Sequence, residues 1–237
     1  MAFFHIIIPA AGSGSRMQNV LPKQYLAVAG KPMISHTIQV FFKHPRVSSI
    51  HLALSPDDGF WRSLTLEPSS KLKLHYTGGD SRAETVLNTL QAMDVASDDW
   101  ILVHDAARPG LTTQLLDKLL SELENHPVGG LLALPLADTL KQSDLDNCVT
   151  KTIPRAQLWQ AQTPQMFKYG MLKDALQANI HAASSGAILA TDEAEAIEAL
   201  GLQPRLVQGE LRNLKVTYPQ DLALLEDILG ADNATDS

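Results

Sequence analysis

Phe4 to Tyr25 reads F-H-I-I-I-P-A-A-G-S-G-S-R-M-Q-N-V-L-P-K-Q-Y, and the reading of this stretch decides the fold. Ile6, Ile7 and Ile8 form a β-branched run that is apolar on both faces, which predicts a strand buried in the middle of a sheet. Ala10, Ala11, Gly12, Ser13 and Gly14 follow at once. Residues this small let the backbone turn sharply and let a ligand approach its N–H groups. Arg16 and Lys23 add two fixed positive charges just beyond those donors. Strand, glycine-rich turn and paired cations together point to a polyphosphate. The stretch lacks the Gly-Lys-Ser/Thr ending of a Walker loop and the third glycine of a dinucleotide fingerprint. Asn19 and Pro22 interrupt any helix here, so the reading is a long loop folded over its ligand.

Working outward, Pro32 to Lys43 reads as a helix with Ile34, Ile38, Phe41 and Phe42 on one side. Val47 to Leu54 reads as a strand, Pro56 to Leu64 as a short helix, and Leu72, Leu74 and Tyr76 as a cleanly alternating third strand. A helix from Ser81 to Met93, a strand from Trp100 to Val103, a helix capped by Thr112 or Thr113 and a strand from Gly129 to Leu136 continue the alternation. Tyr169 to about Ala183 is read as a helix. Asp192 caps another, with Glu195 closing a capping box. Short strands at Pro204–Gln208 and Asn213–Val216 precede a last helix opened by Pro219. This order indicates an open, mostly parallel α/β sheet flanked by helices on both faces. Ligands of such sheets sit beyond the carboxyl ends of the strands. The polar sequences at 10–23, 78–81 and 104–108 all fall there. Leu136 to Ala161 breaks the pattern with a two-stranded excursion, which fits either a surface flap or an arm packed on a second subunit.

The bulk numbers bound the alternatives. The chain has 237 residues, 45% of them hydrophobic, enough for one large α/β domain. Residues 1–230 are read as that single domain and 231–237 as a frayed polar tail. The net charge of −7 argues against nucleic-acid or membrane-surface partners. Cys148 is the single cysteine, which fits a reducing compartment. With no room for a signal peptide before the first strand and no apolar run near ~20 residues, a cytoplasmic location is expected.

Some residues carry chemistry on their own terms. Asp105, at a strand end beside the proposed phosphate loop, can hold a divalent cation, or can cap the following turn or pair with Arg108. Gly78, Gly79, Asp80 and Thr85 on their own read as a turn and helix cap rather than as ligand contacts. Arg155, Lys215, Thr139, Thr163 and Thr191 taken singly are surface charges or caps. The eight histidines show no metal-binding spacing.

The blocks A-A-G-S-G-S-R-M, P-K-Q-Y, G-G-D-S-R, V-H-D-A-A-R-P, D-T-L-K, L-W-Q-A-Q-T-P-Q, T-D-E-A and N-L-K-V-T occur in order from Ile6 to about Leu225. Together they resemble the 2-C-methyl-D-erythritol 4-phosphate cytidylyltransferases of non-mevalonate isoprenoid synthesis. The resemblance implies a Rossmann-like α/β domain with a β-arm, within residues 136–161, that makes a homodimer. It implies transfer of the cytidylyl group of CTP to the polyol phosphate, releasing pyrophosphate, with Mg2+ as cofactor. It places Ala10, Ala11, Gly12 and Gly14 in the nucleotide loop, and Gly79, Asp80 and Thr85 at the cytidine and ribose. Arg16 and Lys23 match the pair that stabilises the transition state. Asp105 and Arg108 match contacts to the acceptor and the metal region. Thr139, Thr163 and Thr191 match the acceptor pocket, with Arg155 reaching over from the partner subunit. Lys215 matches the lysine that holds acceptor and α-phosphate together. Two readings compete: a cytidylyltransferase for another polyol phosphate, such as ribitol 5-phosphate, and a nucleotide-binding regulator without chemistry.

Overall fold

A computed structural model describes residues 3–12, 21–64 and 69–235. In chain order the elements are β1 (Phe4–Pro9), β2 (Ala27–Val28), β3 (Lys31–Pro32), α1 (Met33–Lys43), β4 (Val47–Ala53), β5 (Leu72–His75), α2 (Arg82–Gln91), β6 (Trp100–Val103), α3 (Thr113–Leu123), β7 (Gly129–Pro135), β8 (Leu140–Ser143), β9 (Val149–Ile153), β10 (Trp159–Lys168), α4 (Tyr169–Ser184), α5 (Glu193–Glu198), β11 (Arg205–Gln208) and α6 (Pro219–Thr235).

A seven-stranded sheet in the order β11-β7-β10-β6-β1-β4-β5 forms the body. β1 pairs in parallel with β4 on one side and β6 on the other. The chain moves outward from β1 to β4 and β5, then returns across β1 to start β6. The strand order therefore reverses at β1, and loops leaving β1 and β6 part to either side of a crevice. Only β10 runs against its neighbours β6 and β7.

The isoleucine run explains the layers. Ile6 and Ile8 point to one face and pack with Ile34, Ile38 and Phe41 of α1 and Leu115 and Leu119 of α3. Ile7 points to the other and joins Val86 and Leu90 of α2 and Leu172 and Leu176 of α4. All three isoleucines are fully buried. A strand apolar on both faces can satisfy itself only at the centre of a sheet covered twice.

The structure departs from the sequence reading where local pattern met tertiary context. Pro56–Leu64 holds only a single 3-10 turn at Trp61–Ser63. Leu74 of β5 is exposed because this strand is the sheet edge, and Tyr76, read as its continuation, lies past its end at His75 and is exposed too. Leu158–Phe167 contributes β10, whose Gln- and Pro-rich sequence hides a strand that burial on both sides sustains. Asn213–Val216 forms no strand but an extended link after a 3-10 turn at Leu211–Asn213. α6 continues to Thr235, through most of the segment read as a frayed tail.

On the α2 face, three histidines stand side by side on β1, β4 and β5. Ser49 Oγ lies 2.7 Å from both His5 Nδ1 and His51 Nε2, and His51 Nδ1 lies 2.9 Å from His75 Nε2. Burial lowers the pKa of all three. The charges of His75, Lys73 and His5 add to burial at His51, bringing it to about 3. The unfolded chain takes up these protons near pH 6.5, whereas the folded chain does not. Stability is therefore complete above about pH 6.5 and falls as the pH drops through 5 and 4. His51→Gln, which keeps a polar group but cannot titrate, should flatten this loss by up to about 1.4 kcal/mol per pH unit in denaturant melts. An unchanged slope would contradict the role assigned to the buried ring.

Candidate active site

The crevice at the carboxyl end of β1 and β6 opens into a cavity of about 590 Å³. Its lining joins the loop after β1 (Ala10, Ala11, Gly12), the turn before α2 (Gly79, Asp80, Ser81, Arg82), Thr85, Asp105, and the cations Lys23 and Lys215. Nine residues singled out in the sequence thus meet in one space, although 205 positions separate the first from the last: Ala10, Ala11, Gly12, Lys23, Gly79, Asp80, Thr85, Asp105 and Lys215. Arg16 and Gly14 lie outside the described residues.

The walls are held by backbone. Ala10 N–H donates to the Ala53 carbonyl at 2.8 Å, and the buried Gln24 amide donates to the Ala10 carbonyl at 2.8 Å. A side chain on Gly78 would stand 2.5 Å from Ala11 Cβ, so only glycine lets the two loops close together. Ser81 caps α2 through a reciprocal box with Glu84. Thr85 Oγ1 donates to the Ser81 carbonyl and accepts from Gly79 N–H, both at 3.0 Å. The threonine hydroxyl therefore sets the shape of the glycine turn.

Asp105 is the hub of the charges. Its Oδ2 accepts from Lys215 Nζ at 2.9 Å and Arg108 Nε at 3.3 Å, and its Oδ1 accepts from Arg82 Nε at 3.2 Å. Burial alone would raise the pKa of this carboxyl. Arg82, Lys215 and Arg108 outweigh it and hold the group well below the usual carboxylate range. Lys23 Nζ donates to the Val216 carbonyl at 3.0 Å, and Val216 N–H donates to the Ala107 carbonyl at 2.9 Å. One extended link, 213–217, thereby ties both lysines to the end of β6.

A second cavity of about 170 Å³ adjoins the first and shares Arg82, Asp105 and Lys215 with it. Arg108, Thr163, Thr191, Gln165 and Asp192 are also in its lining. Thr163 is buried, and its hydroxyl accepts from Asp105 N–H at 3.0 Å. It also lies 2.9 Å from His104 Nδ1, while His104 Nε2 donates to the Arg108 carbonyl at 3.1 Å. That pattern needs a neutral imidazole accepting from Thr163, and burial lowers the His104 pKa to about 4. Thr191 donates to Glu195 from both its hydroxyl and its backbone N–H. Glu195 thus turns to Thr191 rather than to the Asp192 backbone, so the capping box read from the sequence is replaced by a cap from Asp192 alone. Thr139 and Arg155 lie on the exposed arm and line neither cavity.

Sequence reasoning passed over Gln24, Arg82 and Glu193. Gln24 and Arg82 sit inside the quoted blocks P-K-Q-Y and G-G-D-S-R, but an amide and an arginine beside a glycine turn read as surface. Glu193 reads as a first-turn helix residue, yet it is fully buried against Arg82.

Among the described residues no group of three or more His, Cys, Asp or Glu could hold a metal ion by itself. A carboxylate has about four acceptor positions; Asp105 uses three and keeps its charge. These residues therefore fit a Mg2+ ion that takes most of its ligands from phosphate oxygens.

The family model of 2-C-methyl-D-erythritol 4-phosphate cytidylyltransferase matches residues 4–231. The chain belongs to this family. Its relatives of that name include one from Nitrosospira multiformis, 56% identical over 97% of this chain and 98% of that protein. Another, from Thiobacillus denitrificans, is 51% identical over 98% and 99%. The crystal structure of the cytidylyltransferase from Francisella tularensis superposes with a TM-score of 0.82 at 32% identity, covering 96% of this chain and all of that one. Family membership gives the two joined cavities a common purpose, which the charge hub already implies.

Thr163→Val, a change of shape by almost nothing, leaves Asp105 N–H and His104 Nδ1 without their partner. It should destabilise the fold by roughly 1–3 kcal/mol, read as a lower urea midpoint at unchanged slope. A midpoint within error of the parent would show that the hydroxyl is not part of the framework.

Proposed function

We propose that this chain transfers the cytidylyl group of CTP to 2-C-methyl-D-erythritol 4-phosphate, releasing pyrophosphate, in the supply of isoprenoid precursors. The observation that carries the reading is the pair of cavities sharing Arg82, Asp105 and Lys215. Two anionic substrates need adjoining sites with cations at the seam. The larger space suits a nucleoside triphosphate, with its glycine turn before α2 at the base and its loop after β1 along the phosphates. The smaller one suits a polyol phosphate.

In the reaction, an oxygen of the acceptor phosphate attacks the α-phosphorus of CTP in line. The new P–O bond forms as the bond to the bridging oxygen of the β-phosphate breaks, and pyrophosphate carries away that electron pair. The nucleophile is already ionised, so no general base is required. The barrier is the meeting of two anions and the charge growing on the non-bridging oxygens. Lys23 and Lys215 counter both from fixed positions, and we assign Arg16 to the same charge-neutralising task from its place in the sequence of the loop. Asp105 keeps Lys215 and Arg108 aimed at the seam. Asp105 would help hold a Mg2+ ion bound with the triphosphate, and that ion would supply further neutralisation of the leaving group.

We further propose a homodimer built on the arm. Among the described residues β8 and β9 pair only with each other, and Leu145 and Val149 on this hairpin are exposed. A two-stranded ribbon with bare apolar side chains is marginal alone, and a second copy would cover it. Thr139 and Arg155, which line neither cavity of their own chain, would then serve the partner's acceptor site. One exposed thiol at Cys148 and a substrate pair of metabolic phosphates fit the cytoplasm.

Pyrophosphate release should require CTP, Mg2+ and methylerythritol phosphate together. It should fall to background with ATP, GTP or UTP, and with ribitol 5-phosphate as acceptor. Equal turnover of the two acceptors would overturn the substrate assignment. Lys23→Ala and Arg16→Ala should each lower kcat by about 10²–10³ with a much smaller change in KM; near-normal turnover would remove these residues from the transition state.

A further inference from the structure

The strongest unassigned feature is a buried carboxylate that the reaction itself does not need. Glu193 is fully buried at the start of α5, behind the seam between the two cavities. Both its oxygens are taken by one guanidinium: Arg82 Nη1 donates to Oε1 at 2.5 Å and Nη2 to Oε2 at 3.1 Å. Such a two-bond fork is the geometry of an ionised pair, and it fixes the plane of the guanidinium as well as its place. The Nε donor points to Asp105 Oδ1. Burial opposes the Glu193 charge and raises its pKa, while Arg82 works against that shift.

The element carrying Glu193 is itself pinned. Gln165 of β10 donates to Asp192 Oδ2 at 2.9 Å and accepts from Ala194 N–H at 2.8 Å, so the first turn of α5 is bolted to the sheet. A continuous strut therefore runs from β10 through α5, Glu193 and Arg82 to Asp105, and ends on Lys215 and Arg108.

We propose that Glu193 is a positioning residue for the transfer reaction: by holding the Arg82 fork, it keeps Asp105 free to aim Lys215 at the seam between the two substrates. The inference rests on the function proposed above. Three cations (Arg82, Arg108, Lys215) share two carboxylates (Asp105, Glu193) through direct contacts. Without the Glu193 charge, Arg82 has a single carboxylate left and competes with Lys215 for Asp105. The ammonium then loses its fixed direction and stands beside an uncompensated guanidinium. The charged groups that line the two cavities with Lys215 are Asp105 and Arg108 after β6, Arg82 on α2, Asp192 before α5, Asp80 before α2 and Lys23.

The test is Glu193→Gln, which preserves shape and one acceptor but removes the charge. In the pyrophosphate-release assay kcat should fall about tenfold or more while KM for CTP stays within a few-fold. A purely structural role would lower the urea midpoint and leave kcat per folded molecule unchanged. The double variant Arg82→Gln/Glu193→Gln should be no slower than the worse single variant, since both act through one strut. If Glu193→Gln does not fold, Arg82→Lys decides, as an ammonium cannot bridge both carboxylates; it should show the same fall in kcat at nearly unchanged KM. A folded variant with parental kcat would overturn the inference. A parent enzyme that releases no pyrophosphate would instead overturn the function on which it stands.

Discussion

A buried carboxylate that must satisfy three cations is the constraint around which this site is arranged. Asp105 meets Arg82, Arg108 and Lys215 within 3.3 Å. Such a cluster is poor evidence for stability, because removing ions from water costs several kcal/mol each and the attraction roughly repays it. Its value is geometric. Cations held by a rigid anion cannot relax toward bulk water, so their field is already in place when an anionic substrate arrives. The backbone beneath the hub is equally determined: Thr163 takes the Asp105 N–H, His104 stays neutral to receive the Thr163 proton, and Arg108 returns its carbonyl to His104.

That hub can exist only where the sheet reverses its order. The loops leaving β1 and β6 diverge, and the gap between them is open to ligand while its floor remains in the core. Ile6, Ile7 and Ile8 below it feed both hydrophobic layers, so the end of β1 is anchored from two sides. A loop of small residues can then stand on a rigid base. The antiparallel strand β10 brings Thr163 and Gln165 to the same end from the opposite direction, which is how one strand supplies both the Asp105 framework and the bolt on α5.

The charge balance of the whole chain conceals this local field. A protein with net charge −7 presents Arg82, Arg108, Lys23 and Lys215 around one crevice. Repulsion among them is tolerated because Asp105 and Glu193 are interleaved.

Periodicity and residue type were enough to reveal the alternating strands and helices, the glycine turn and its cations. These depend on neighbours along the chain: β-branched runs, caps such as Ser81 and Thr112, and small residues after a strand. The order of the blocks was enough to reveal the family. Three-dimensional packing alone decided the rest. It showed that β5 is an edge, so that Leu74 is exposed despite perfect alternation, and that β10 is a strand despite its Gln and Pro. It showed that the hydroxyls of Thr85 and Thr163 are spent on the backbone, and that Glu193 is buried behind Arg82. A side chain's partner across 111 positions is set by the register of the sheet and the pinning of a helix, and neither leaves a local trace in the sequence.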